Sequence, residues 1–433
     1  MELILFIFIF FILIFLNCQI GFAMLISSFF YLLFRGNIPL TIIPERITAG
    51  IYTYSLLAIP LFTLAGSIMN QVGITKKIFN FCLAFVGHLK GGLAYVNVLA
   101  SMIFAGISGS ATADAAGLGL VELKAMKEDG YDDSYSVAVT SVSSCIGPII
   151  PPSIVMILIG VVADVSIGRL FIAGILPGIL MGLAIMAIIY YHSITQYGKK
   201  YFPKNTHPKL NSKERLKALL DGLPSLLSPV IILGGIFMGV ITPTEAGVIA
   251  VVYSLVLGVI YKELNLKILF KSLEETVNII GMVMFVVVAA QIFGWVITIE
   301  RIGFILINYL QSGMLPTWAI WLIIDISLIL AGCFIEGLAI ILIFLPVFLP
   351  LVKFLGIDLV QFGVVFAICV EIGLLTPPLG MSVFVTCNIA GIPVEKGFSK
   401  SLIFTIPLIV VLLLTTYLPQ ISLYLPKLIF GKY

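Results

Sequence analysis

Apolar residues run along this chain in stretches far longer than a soluble helix or strand needs. They cover roughly 3–34, 50–70, 80–107, 135–162, 170–192, 222–261, 276–311, 316–352, 359–391 and 401–425. About 20 apolar residues suffice for a helix to cross hydrocarbon. Several runs exceed that length and carry Gly, Pro and polar residues in mid-run. The first is long enough for two helices broken near 17–19. The pattern predicts an all-α polytopic membrane protein with about eleven or twelve transmembrane segments, some of them discontinuous. The opening MELILFIFIFFILIF lacks the basic n-region and the small-residue cleavage site of a signal peptide, so it reads as a retained first membrane helix.

Composition agrees with lipid as the main solvent. Of 433 residues, 61% are hydrophobic and 10% charged, against about 25% charged in soluble domains. A net charge of +3 is too small to suggest nucleic acid. The six cysteines form no CxxC pair and read as small apolar packing residues. The three histidines have no metal-ligand spacing. The longest polar stretch, 199–217, holds seven Lys or Arg and one Glu, which the positive-inside rule assigns to the cytoplasm.

The chain also resembles itself. AGISGSATADAAG opens at Ala105, and IGPIIPPS opens further on at Ile146. AGCFIEGLAIILIF opens at Ala331, and IGLLTPPL follows it at Ile372 with the same internal spacing. Both pairs are 226 positions apart, an offset that also lays Gly21 on Gly247. The expected organisation is a repeat over about 13–192, a basic cytoplasmic linker over 193–221, and a second repeat over about 239–425. An odd number of spans per repeat would invert the halves, and that arrangement is expected.

The interrupted segments are where chemistry is expected. Pro148, Pro151 and Pro152 each lack an N–H and clash with a preceding carbonyl, so the helix must open there. Freed carbonyls cannot stay unpaired in hydrocarbon. With the hydroxyls of Ser143, Ser144 and Ser153 they offer oxygen ligands to a hard cation such as Na⁺. Thr376, Pro377 and Pro378 make the same case in the second half. Stretch 106–119 holds four glycines among Ser108, Ser110, Thr112 and Asp114, which suits a re-entrant helical hairpin whose half-helix N-termini face an anion. A second hairpin is expected near 332–337, carrying Glu336. Ionisable residues inside a membrane are costly and mark function. Asp114 and Glu336 lead, Glu371 follows, and Asp325 and Glu245 read as membrane-surface charges.

These blocks together resemble the large membrane subunit of TRAP (tripartite ATP-independent periplasmic) transporters. The likeness covers nearly the whole chain and is densest at 56–74, 87–119, 138–178, 242–253 and 371–385. It implies a Na⁺-coupled, elevator-type importer of carboxylates such as C4-dicarboxylates or sialic acids, in the bacterial inner membrane. It also implies two partners, a small four-helix membrane subunit (here expected as a separate chain) and a periplasmic substrate-binding protein. Carried onto this sequence, the cation ligands would be Ser108, Gly109, Ser110, Ser144, Gly147 and Pro148. Their second-half counterparts would be Gly332, Gly337, Gly373, Thr376 and Pro377. The substrate would meet Ser110, Thr112, Asp114, Ser153, Glu336, Thr376 and Pro378. Glu336 stands where the family often has Asp, and Gly337 where a hydroxyl is common, which leaves the substrate class open. A stand-alone carrier of related fold, a channel and an intramembrane enzyme are the alternatives. The last would need a catalytic pairing that the scattered histidines do not supply.

Overall fold

The computed structural model describes residues 2–195, 200–203, 207–312 and 315–431. Twenty α-helices and one short 3₁₀ turn are found among them, with no strand. In chain order the first ten are α1 (Glu2–Phe15), α2 (Ile20–Arg35), α3 (Ile42–Ile51), α4 (Ala58–Gln71), α5 (Ile74–Val86), α6 (Gly92–Ser108), α7 (Ala111–Glu128), α8 (Asp133–Ser144), α9 (Ile154–Ala163) and α10 (Ile167–Ile194). The rest are α11 (Ser212–Phe237), α12 (Pro243–Ile260), α13 (Leu266–Ile299), α14 (Ile302–Ser312), α15 (Thr317–Gly332), α16 (Gly337–Phe354), α17 (Leu359–Gly373), α18 (Met381–Ala390), α19 (Val394–Tyr417) and α20 (Pro419–Phe430).

The apolar runs resolve into two kinds of helix. Six described helices (α10 to α13, α16 and α19) are long and apolar enough to cross a membrane, and a seventh span forms if α3 and α4 count as one segment bent by 58°. Seven further apolar helices have only 10–17 residues. The expected break near 17–19 separates α1 from α2. Single prolines at 177, 224, 229, 346, 350 and 407 stay inside helices. Clustered prolines do not: α8 stops at Ser144, before Pro148, and α17 stops at Gly373, before Pro377.

Within the stretch expected as a linker over 193–221, α10 runs to Ile194 and α11 starts at Ser212. A reciprocal cap explains the start. The Asn211 side chain accepts from the Glu214 N–H at 2.9 Å, and the Glu214 carboxylate accepts from the Asn211 N–H at 2.8 Å. Of the basic stretch 199–217, Lys199 and Lys204 lie outside the described residues.

Helix boundaries recur at the same offset as the motifs. Helix α7 runs from 111 to 128 and α16 from 337 to 354, so both ends are displaced by the repeat offset. Helices α8 and α17 start with the same separation. Contacts cross between the halves in matched pairs: α7 packs on α18 and α16 on α9, while α8 packs on α19 and α17 on α10. Apolar burial runs through all of these helices without a gap.

At the edge of the bundle, α2 lies along α13. Arg35, in the last turn of α2, forms an ion pair with Glu300 at the end of α13, and Tyr31 donates to the same carboxylate. The pair is partly shielded, with side chains 26% and 21% exposed. Hydrogen bonds to charged groups contribute more than neutral ones, but partial exposure screens them. Glu300→Gln is expected to destabilise the protein by about 1–2 kcal/mol. The check is the thermal unfolding midpoint in detergent, and an unchanged midpoint would remove this contact from the account.

Candidate functional site

The first-half site forms where a helix–turn–helix meets the proline loop. Helix α6 ends at Ser108, and Gly109 takes a left-handed conformation, φ 66°, that a side chain would strain. Ser110 then caps α7, its hydroxyl accepting from the Ala113 N–H at 3.5 Å. Ser153 does the same for α9, accepting from the Met156 N–H at 3.1 Å while donating to the Pro148 carbonyl. Tip and loop touch through backbone. The Ile154 N–H donates to the Gly109 carbonyl at 3.4 Å, and a Cβ on Gly109 would sit 2.5 Å from the Pro152 carbonyl oxygen. The N-termini of α7 and α9 therefore meet at one point. First-turn N–H groups have no intrahelical partner and carry the positive end of the helix dipole, so this point favours an anion.

The second half repeats the arrangement. Helix α15 ends at Gly332, and Glu336 precedes α16 without capping it. The Leu379 N–H donates to the Cys333 carbonyl at 3.2 Å, so this tip also rests on its proline loop. Gly332 and Gly373 face each other: a Cβ on Gly373 would come within 2.5 Å of the Gly332 Cα. The two loops differ in exposure. Gly147, Pro148, Pro152 and Ser153 are buried, whereas Pro377, Pro378 and Glu336 are exposed and Thr376 is half-buried. The first nest is closed and the second open.

The donor set suits a hard cation. Ser144 donates to the Ser141 carbonyl at 2.8 Å and Thr376 to the Ile372 carbonyl at 2.8 Å, so each hydroxyl oxygen keeps lone pairs for a ligand. Ser108 donates to the Ser110 carbonyl at 3.4 Å, and Ser110 lies 3.3 Å from the Thr112 hydroxyl. Such oxygens match Na⁺ by hardness. Asp114 is 1% exposed, and neither of its carboxylate oxygens has a hydrogen-bond partner among the described residues. It lies directly against Gly147, where a Cβ would collide with its Oδ2. It therefore sits between the proline loop and Ser108 of the tip. Glu371, 1% exposed with Oε2 unpartnered, interacts electrostatically with Asp114 from the other half. Buried carboxylates without partners demand a neutralising cation or proton.

Two weaker candidates resolve differently. Asp325, expected at a membrane surface, is buried at 2% exposure, because Thr416 donates to it at 3.0 Å and Cys369 at 3.5 Å. Glu245 is exposed and caps its own helix, accepting from the Thr242 N–H at 2.7 Å. Two polar residues were not foreseen from sequence. The Asn97 amide donates to Thr140 and accepts from Ser143, both at 2.7 Å. That network fixes α6 against α8 just behind the loop. Its signal was a lone Asn in an apolar run. Glu122 is 1% exposed with one carboxylate oxygen unpartnered.

The sequence matches the family described as "Tripartite ATP-independent periplasmic transporter, DctM component" over residues 7–421. It is 38% identical over 420 residues to the sialic acid TRAP transporter large permease protein SiaM of Vibrio cholerae serotype O1, covering 97% of each chain. It is 38% identical over 375 residues to the C4-dicarboxylate TRAP transporter large permease protein DctM of Pseudomonas aeruginosa, covering 86% of each. In three dimensions it is similar to the Alcanivorax borkumensis YdaH transporter, with a TM-score of 0.56 at 14% identity over 87% of both chains, a likeness of fold alone.

The Gly332–Gly373 contact gives a direct test. Gly373→Ala has no space to enter without parting two backbones and is expected to cost about 2–3 kcal/mol. Gly234→Ala, on α11 with nothing within 4 Å of the new Cβ, is expected to leave stability level or raise it by up to about 1 kcal/mol. Thermal unfolding of both variants checks the contrast, and equal midpoints would contradict the close approach.

Proposed function

The chain belongs to the DctM component family of the tripartite ATP-independent periplasmic transporters, and from that premise we propose that it imports a carboxylate-bearing solute together with Na⁺. It is a multi-pass protein of the inner membrane and a transporter permease component, not an enzyme. The carboxylate reading is supported by relatives named for sialic acid and C4-dicarboxylates, together with four helix N-termini gathered at two proline loops. The partners are a small membrane subunit and a periplasmic solute-binding protein, as the tripartite description of the family suggests.

The observation that carries the reading is the pair of interrupted helices related by the repeat offset, each loop touched by the tip of a preceding hairpin. We read the two halves as inverted repeats. The hairpins, re-entrant in this reading, hold Na⁺ against Ser144, Gly147 and Pro148 on one side and against Gly373, Thr376 and Pro377 on the other. The cation offsets Asp114 and Glu371 in the interior and Glu336 at the open tip. That positive charge, added to the helix N-termini, draws the anion to Ser110, Thr112 and Thr376. Ions and substrate stabilise one state of the carrier jointly, which is what couples them. The elevator motion follows from the same idea: the body carrying both hairpins crosses only when its interior oxygens are satisfied.

The test is uptake of labelled N-acetylneuraminate and succinate by proteoliposomes holding this chain, its small subunit and its binding protein. Ser144→Ala and Thr376→Ala are each expected to raise the half-saturating Na⁺ concentration about fivefold, the equivalent of about 1 kcal/mol. Uptake that ignores Na⁺ in the parent, or variants with the parent's Na⁺ dependence, would overturn the assignment.

A further inference from the structure

A hollow lies away from the hairpins, at the ends of α15, α17 and α19. It is an open cavity of about 440 Å³, walled by Trp318, Trp321, Asp358, Gln361, Thr416 and Tyr417 among others. Its chemistry is one-sided. None of its lining residues is basic. Asp358 uses one carboxylate oxygen to accept from the Val360 and Gln361 N–H groups, at 2.8 and 3.3 Å, which leaves the other oxygen for a ligand. Buried Asp325 lies behind the wall, bonded to Thr416. Trp318 is 61% exposed and Trp321 only 5%, so one indole edges the mouth and the other backs the interior. Carboxylate and aromatic faces together recognise a guanidinium or ammonium group.

The repeat offset supplies a second observation. It lays Asp358 on Asp132, Gln361 on Tyr135 and Tyr417 on Tyr191. Asp132 caps α8 just as Asp358 caps α17. In the first half the corresponding hollow is filled by the chain itself. Tyr201 stacks on Tyr135 with ring centroids 5.3 Å apart, and its carbonyl accepts from the Asp132 N–H at 3.3 Å. Phe202 packs edge-on against both Tyr131 and Tyr135 and covers Gly91. Lys200 lies 5.0 Å from the Tyr201 ring. A basic and aromatic segment of the connection between α10 and α11 therefore plugs this end.

The two hollows sit at opposite ends of α10. Near the filled one, His192 lies 6.5 Å from the Tyr201 ring in the last turn of α10. Near the open one, Gly363 of α17 meets Leu170 in the first turn of α10. At 28 residues α10 is about 42 Å long, enough to separate the two faces of a membrane. The filled end adjoins the basic connection, the cytoplasmic side by charge. The open hollow then faces the periplasm.

We propose that this cavity is a docking socket for an arginine or lysine side chain on a protein that approaches from the periplasm. The inference rests on the face assignment and on the partner reading above, but not on the sodium reading of the hairpins.

The test uses the purified full-length chain in nanodiscs and argininamide as probe. The chain has three tryptophans, two of them in the cavity wall, so intrinsic fluorescence reports occupancy. Saturable quenching by argininamide is expected, with neutral glutaminamide inert. Asp358→Asn keeps the helix cap and is expected to weaken the argininamide response at least tenfold, while Trp318→Leu removes most of the signal. No saturable quenching, equal response to glutaminamide, or a parent-like response in Asp358→Asn would overturn the socket. In right-side-out vesicles Thr317→Cys is expected to react with an impermeant maleimide from outside beyond the parent's background, and reaction only from inside would overturn the periplasmic placement. Neither assay involves uptake, so a failed sodium dependence would leave these outcomes readable on their own.

Discussion

A helix that stops inside a bilayer leaves up to four N–H or four carbonyl groups without partners, and hydrocarbon supplies none. This chain stops helices on both sides of each of two proline loops, at 145–153 and 374–380. Glycine is what makes that possible. Gly109 brings the first hairpin tip within backbone hydrogen-bonding reach of Ile154, and Gly332 with Gly373 lets two backbones meet in the second half. The breaks are thus covered by main chain from a neighbouring tip, and the remaining oxygens face a site. Packing around both loops follows from how those groups are satisfied.

Much of this was written locally. The breaks at 145–153 and 374–380 could be read from clustered prolines, because a proline removes a donor and clashes with the turn before it. Isolated prolines such as Pro177 and Pro407 do neither enough to stop a helix already packed on its neighbours. The first hairpin was legible in its glycine and hydroxyl density. The start of α11 is written locally as well, since Asn211 and Glu214 spell a capping box.

The rest depends on contacts between distant segments. Asp114 of α7 sits against Gly147 of the proline loop, and only the packed hairpin brings them together. Whether a loop is closed, as at Pro148, or open, as at Pro378, depends on packing between distant segments, which no local pattern encodes. The burial of Asp325 depends on Thr416, on a different helix. Likewise, nothing in Tyr201 or Phe202 as residues announces that they fill a hollow whose counterpart in the other half stands open. A shared helical plan thus carries different chemistry at its two ends.

In the function proposed above, oxygens left by the broken helices bind sodium in the folded protein. A ligand that binds only the native state raises its unfolding temperature in a saturable way. The most direct measurement is the unfolding midpoint of the purified chain in nanodiscs, with NaCl titrated at constant ionic strength against choline chloride. Sodium binding predicts a midpoint that climbs and then levels with Na⁺ alone. A midpoint identical in the two salts at every concentration would contradict it.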